Sequence, residues 1–281
     1  MKDILKRQRI KPKKKFENIN HSFPLVTIVT IVLNNEAFIE ETIQSVLKQT
    51  YRNIEYIIID GGSTDGTVNI IKKYEKFIDY WVSEKDKGIY EAMNKGLKLA
   101  KGKWINFMNS GDTFYSKDTI NSIPFADFQN CSMIYGKTRL FSESRKFVYL
   151  LNPHICNRFN LALYATGVVC HQAVFYSTSI KFMYPSKYKI HGDFFSYFEY
   201  IKHGLAKRLD IIICNYHLGG YSETSSTSKR ELRTVLKEQV GVWSFLYFLN
   251  ISYNSIKLYF IKLLKNVLDK KNYKKIKKII F

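Results

Sequence analysis

The sequence predicts an α/β domain: a mostly parallel sheet flanked by helices, with a basic, helical extension at the C-terminus. Three observations carry this prediction. β-Branched apolar runs alternate with stretches of helical spacing from residue 24 to about residue 115, the pattern of strands covered on both faces by helices. Polar residues gather at the end of each apolar run, and the positive charge is concentrated at the two chain ends. With 281 residues, 46% of them hydrophobic and 24% charged, the chain can bury the core that such a sheet requires.

Residues 1–23 read as a basic leader (KRQRIKPKKK) that lacks the apolar core of a secretory signal. Residues 26–33 (VTIVTIVL) are an unbroken apolar run of strand length. Residues 37–49 then place Ile39, Ile43, Val46 and Leu47 on one helical face. A second buried strand, 54–59, ends in Asp60-Gly61-Gly62-Ser63. A helix over 67–76, a strand at 80–83, a helix over 89–100 and a strand at 104–108 complete the alternation. In such sheets ligands bind at the carboxyl ends of the strands, where this chain has Asn34, Asn35, Asp60, the segment 83–86 and the segment 109–112.

After about residue 125 the regular pattern fades. A strand at 133–135 is followed by an aromatic-rich stretch with His154, His171 and His191-Gly192-Asp193, and Gly219-Gly220 leads into a Ser/Thr-rich loop at 222–228. We therefore divide the chain into the leader 1–23, a domain 24–228 with halves 24–115 and 116–228, and an extension 229–281. In that extension Val242, Leu246, Leu249, Tyr253, Ile256, Phe260, Leu263 and Val267 form one apolar stripe, followed by a Lys-rich tail at 270–278. No charge falls between 239 and 256, but Asn250, Ser252, Asn254 and Ser255 interrupt the run. The pattern fits a helix lying in a membrane interface better than one crossing it.

The net charge of +20 is unevenly spread: +6 in residues 1–20, +10 in 229–281, and only +4 between them. A nucleic-acid binder spreads Lys and Arg over a folded face, so this distribution argues against nucleic acid. It favours an anionic membrane surface, which attracts each basic residue by about 1 kcal/mol. Cys131, Cys156, Cys170 and Cys214 show no paired metal-ligand spacing, which argues against structural zinc, and the expected setting is a reducing cytosol.

The segments PLVTIVTIVLNNEAFIEETIQSVLKQTY (24–51), IEYIIIDGGSTDGT (54–67) and SEKDKGIYEAMNKGLKLAKGKWINFMNSGD (83–112), with HQAVFY (171–176) and HGDFF (191–195), resemble family 2 glycosyltransferases of the GT-A fold. The GGSTDGT and NSGD variants resemble the branch that builds bacterial exopolysaccharide, capsule and lipopolysaccharide. The resemblance implies a Rossmann-like, mostly parallel sheet and an inverting transferase that moves a sugar from a nucleotide diphosphate, UDP above all, to a lipid-linked glycan. Such an enzyme would work at the inner face of the plasma membrane.

Residue by residue, the resemblance implies donor contacts from Thr30, Asn34, Asp60, Asp86, Gly88, Asn94, Asn109 and Gly111. Asp60 would accept the imide N–H of uracil, and without help, because the family's neighbouring Asp is Gly61 here. The family's metal motif is Asn109-Ser110-Gly111-Asp112, which leaves Asp112 as the carboxylate for Mn²⁺ or Mg²⁺, with His217 a further ligand. Asp193 resembles the base that deprotonates the acceptor, and His171 and Gln172 resemble a sugar-pocket segment. The absent carboxylates at 109 and 111 keep one alternative open, a catalytically inactive GT-A-like binding module.

Overall fold

The computed structural model describes residues 23–153, 169–218 and 228–240. The leader up to residue 22, His154, most of the Ser/Thr-rich loop, and the stripe and Lys-rich tail beyond residue 240 lie outside the described residues. Among the described residues no helix is long and apolar enough to cross a membrane.

The first half follows the predicted alternation: β1 (Val26–Val32), α1 (Ile39–Leu47), β2 (Ile54–Asp60), α2 (Thr67–Lys73), β3 (Tyr80–Ser83), α3 (Ile89–Leu99) and β4 (Trp104–Phe107). The predicted end of the second helix is instead a separate 3₁₀ turn, Glu75–Phe77. The strands lie in the order β3-β2-β1-β4, all parallel. Val32 pairs with Asp60 and Asp60 with Ser83, so three strand ends stand level and their loops open on one edge. Alternate residues of β1 enter opposite cores: Val29 and Ile31 face α3, and Val26, Ile28 and Val32 face α1.

The second half extends and curls this sheet. It contributes β5 (Thr113–Phe114), β6 (Cys131–Phe141), β7 (Phe147–Leu151), β8 (Val174–Ser177), α4 (Gly192–His203), β9 (Leu205–His217) and α5 (Ser228–Val240). β8 runs antiparallel to β4 and to β6, β9 runs parallel to β6, β5 closes antiparallel on β9, and β7 forms a hairpin with β6. Only five residues separate β4 from β5, yet β5 pairs at the far end of the strand order. The sheet must therefore bend back toward the segment 108–112.

The extension predicted to begin at 229 starts inside this packing, so the boundary at 228 needs correction. Leu232, Val235 and Leu236 of α5 are buried in the same core as Phe194, Tyr197 and Phe198 of α4. Glu231 accepts the backbone N–H groups of Lys189, Ile190 and His191 at 3.0, 2.8 and 2.7 Å. Its carboxylate thus sits at the positive N-terminal end of α4, where negative charge is favourable. Lys187 donates to Glu238 at 2.7 Å, a second tie between α5 and the same loop.

Burying each of the three apolar side chains is worth roughly 2 kcal/mol, and their sum is a large part of the stability of an ordinary domain. Deleting residues 229–281 should therefore give a destabilised or insoluble chain, whereas deleting 241–281 should leave cooperative melting close to that of the full chain. Thermal unfolding of the two truncations checks this.

Candidate active site

The site is built where the loop after β4 meets the ends of β8 and β9. Asn109 to Asp112 form a tight turn: the Asp112 N–H donates to the Asn109 carbonyl at 3.1 Å, and Gly111 holds φ at 100°, a value that favours glycine. Thr42 of α1 fixes the turn from below. Its hydroxyl accepts the Gly111 N–H at 3.0 Å and donates to the Asp112 carbonyl at 2.8 Å.

The Asp112 side chain is buried, with the residue only 5% exposed. Gln172 Nε2 donates to its Oδ2 at 2.5 Å, and the His217 backbone N–H donates to its Oδ1 at 3.0 Å. The Cys170 thiol occupies Gln172 Oε1, which turns the amide nitrogen toward Asp112. Burial pushes the Asp112 carboxyl up to about 7, against the lowering effect of these hydrogen bonds and of the His171 and Arg145 charges.

One residue before Gln172, His171 reaches the other way. Its Nε2 lies 2.9 Å from Asn109 Nδ2, and its Nδ1 lies 3.4 Å from Asp193 Oδ2. Asp193 stands in the first turn of α4, with Oδ1 accepting the Phe194 N–H at 2.8 Å. Gly192 lets the chain approach Tyr90 this closely, because a Cβ there would meet the ring at 2.8 Å. Burial alone would raise the Asp193 carboxyl, but the His171 hydrogen bond and charge outweigh it, with help from Phe194 N–H and His191, and hold it below the usual carboxylate range.

The structure thus brings Asn109, Gly111, Asp112, His171, Gln172, Asp193 and His217 together. His217 stacks on Phe141 with ring centroids 5.2 Å apart, and burial followed by the Arg145 charge lowers its pKa, favouring the neutral ring. Two buried atoms here have no hydrogen-bond partner: Asn109 Oδ1 and His217 Nδ1. Gln172, expected in a sugar pocket, donates to Asp112 here.

Other predicted donor contacts are occupied elsewhere. Thr30 is fully buried within β1 and shares a 3.0 Å hydrogen bond with the Tyr56 hydroxyl. Asn94 clamps Tyr184, donating to its carbonyl at 2.9 Å and accepting its N–H at 2.8 Å. Asp60 is fully buried, and its oxygens accept the Gly62 and Ser63 N–H groups and the Ser63 and Ser83 hydroxyls. Its carboxylate shapes the loop. Asn34, at φ 48°, ties this loop to β1 by accepting the Thr64 N–H at 2.8 Å.

Asp86 also lies against that loop, with one oxygen toward Gly61. Lys95 holds its Oδ1, and its Oδ2 lies 3.2 Å from where a Cβ on residue 61 would stand. A side chain at 61 would therefore press on the Asp86 carboxylate. Gly88, at φ 140°, begins α3 and faces open space, so its backbone conformation, not crowding, is what favours glycine. Thr42 and Glu231 were not foreseen, and nothing in their local sequence marks them.

A family model described as glycosyl transferase family 2 matches residues 27–201, more than half of the chain. The chain belongs to this family. A PGL/p-HBAD biosynthesis glycosyltransferase of Mycobacterium bovis is 26% identical over 234 residues, covering 78% of this chain and 87% of that protein. An uncharacterized glycosyltransferase of Mycobacterium tuberculosis is 41% identical over 100 residues, 35% of this chain and 38% of the relative. Among solved structures, residues 1–349 of S. aureus TarS in complex with UDP-GlcNAc superpose with a TM-score of 0.62 at 17% identity, over 76% of this chain and 65% of that one. A mannosyltransferase of Pyrobaculum calidifontis in complex with GDP-Man and Mn²⁺ superposes at 0.59 and 13% identity, over 91% and 79%. The fold is the GT-A fold, and the chain is a glycosyltransferase.

The raised Asp112 carboxyl links this family 2 site to stability. The folded state keeps a proton that the unfolded chain loses near 3.8, so the stabilisation is full below that pH and lost as pH rises through about 7. Metal-free protein should lose about 3 kcal/mol between pH 5 and pH 8 from this group, at about 1.4 kcal/mol per pH unit up to about pH 7. Asp112→Asn should flatten that slope, and denaturant titrations at the two pH values measure it.

Proposed function

We propose that this glycosyltransferase is inverting and divalent-metal dependent, moving a sugar from a UDP-linked donor to a hydroxyl of a lipid-linked glycan in bacterial surface polysaccharide synthesis. The observation that carries the reading is the pair of carboxylates, Asp112 and Asp193, held on either side of one two-residue turn, His171-Gln172. One is buried beside unpartnered donor atoms. The other is about a quarter exposed at its side chain, at a helix N-terminus.

The donor set fits a hard divalent cation. Asp112 supplies a carboxylate whose oxygens keep a further lone pair, and Asn109 Oδ1 and His217 Nδ1 are buried with no partner. Mn²⁺ or Mg²⁺ held there with diphosphate oxygens would neutralise charge on the leaving nucleotide. Asp86, with Gly61 and Gly88 beside it, is left to meet the ribose or base. Asp193 takes the proton of the acceptor hydroxyl as its oxygen bonds to the anomeric carbon and the bond to the diphosphate breaks on the opposite face, which inverts that carbon. The solved relatives bound to UDP-GlcNAc and to GDP-Man with Mn²⁺ support a nucleotide-sugar donor and a metal.

A second reading, an inactive binding module, draws on one observation: among the described residues no three His, Cys, Asp or Glu side chains cluster to hold a metal. UDP release from UDP-N-acetylglucosamine with Mn²⁺ separates the two. Asp112→Ala should abolish that turnover and the Mn²⁺-dependent part of donor affinity. Asp193→Asn should lower turnover by about 10²-fold or more, the usual scale of general-base catalysis, with donor affinity within twofold by calorimetry.

The membrane part of the proposal rests on the charge of the chain ends and the stripe beyond residue 240. The full chain should co-sediment with anionic vesicles at low salt and leave them at high salt. The 241–281 deletion should stay in the supernatant while still releasing UDP.

A further inference from the structure

We propose that His171 is a positioning residue for Asp193, fixed by Asn109 so that its Nδ1–H points at the base. The proposal rests on the reading of Asp193 as that base. Asn109 Nδ2 lies 2.9 Å from His171 Nε2, and an amide nitrogen can only donate. An imidazole accepting at Nε2 carries its proton at Nδ1, which is the atom 3.4 Å from Asp193 Oδ2.

The rest of the pocket supports the assignment. The His171 side chain is only 14% exposed, so water does not set its tautomer. Asp193 Oδ1 is already taken by the Phe194 N–H, and the Tyr90 hydroxyl, which donates to the Ile190 carbonyl at 2.6 Å, reaches that same Oδ1 at 3.3 Å. Oδ2 is therefore the oxygen left for an acceptor proton, and among the described residues His171 is the side chain that orients it. Because His171 also grips the turn that ends in Asp112, it holds donor loop and base at one separation. Proximity of this kind is a large part of what an active site contributes.

The side-chain nitrogen of asparagine falls where Nδ1 of histidine lies, and the side-chain oxygen of glutamine can fall where Nε2 lies and accept from Asn109. His171→Asn keeps a donor to Asp193 and loses the reach to Asn109; His171→Gln does the reverse. In the full chain, UDP release from UDP-N-acetylglucosamine with Mn²⁺ should fall at least tenfold in kcat for His171→Ala and His171→Gln, with KM within about twofold. His171→Asn should recover to within about threefold of the native chain. Equal losses in the Asn and Gln variants, or a loss confined to KM, would overturn the proposal.

A measurement without substrate gives a second check. Long-range ¹H–¹⁵N correlation spectra at pH 8 should show His171 as the Nδ1–H tautomer, changing toward Nε2–H in Asn109→Ala. An Nε2–H tautomer in the native chain would contradict the assignment. Native-level UDP release by Asp193→Asn would remove the base reading beneath the proposal, and the spectra tell that failure apart from a misplaced histidine.

Discussion

A carboxylate taken out of water is unfavourable by several kcal/mol unless hydrogen bonds and charges replace the lost solvent. Asp112 is such a group, and its two protein donors, Gln172 and the His217 N–H, lie 60 and 105 residues further along the chain. Satisfying it obliges the start of β8 and the end of β9 to meet the loop after β4. The curl of the sheet, the five-residue passage from β4 to β5 and the closure of β5 on β9 all serve that meeting. The same burial raises the Asp112 carboxyl, because its neutral donors alone compensate an ionised Asp112 poorly.

The second carboxylate is placed by a different chain of contacts. Glu231 gathers three backbone N–H groups of the loop before α4, Gly192 brings that helix start against Tyr90, and His171 holds the Asp193 oxygen. α5, which lies at the start of the basic extension, is thereby part of the scaffold that places Asp193. A segment that by charge belongs with the C-terminal extension is by packing part of the catalytic domain.

The first hundred residues were legible because each strand and helix there carries its own period and each ends in a polar cluster. Asp112, Asp193, His171 and Gln172 were named from the family resemblance, which does not give the partners they have in the fold. Thr30, Asp60 and Asn94 were named as donor contacts by the family resemblance, and their sequence neighbours do not give the partners they have in the fold. Those partners are Tyr56, the Gly62–Ser63 backbone and Tyr184. β9 escaped notice because Lys207, Arg208 and Asp210 break its apolar period while lying on a half-exposed strand. α5 was assigned outward by its charge, since a stripe of three residues, Leu232, Val235 and Leu236, is too short to announce burial.

The central claim is that Asp112 is the carboxylate at which donor diphosphate and metal meet. The most direct measurement is a crystal structure of the full chain with UDP and Mn²⁺, with anomalous scattering collected to locate the manganese. The account predicts a single manganese peak bonded to an Asp112 oxygen and to diphosphate oxygens, with Asp86 beside the nucleoside. A nucleotide bound away from the 109–112 turn, or manganese held by other residues while Asp112 keeps only Gln172 and the His217 N–H, would contradict it.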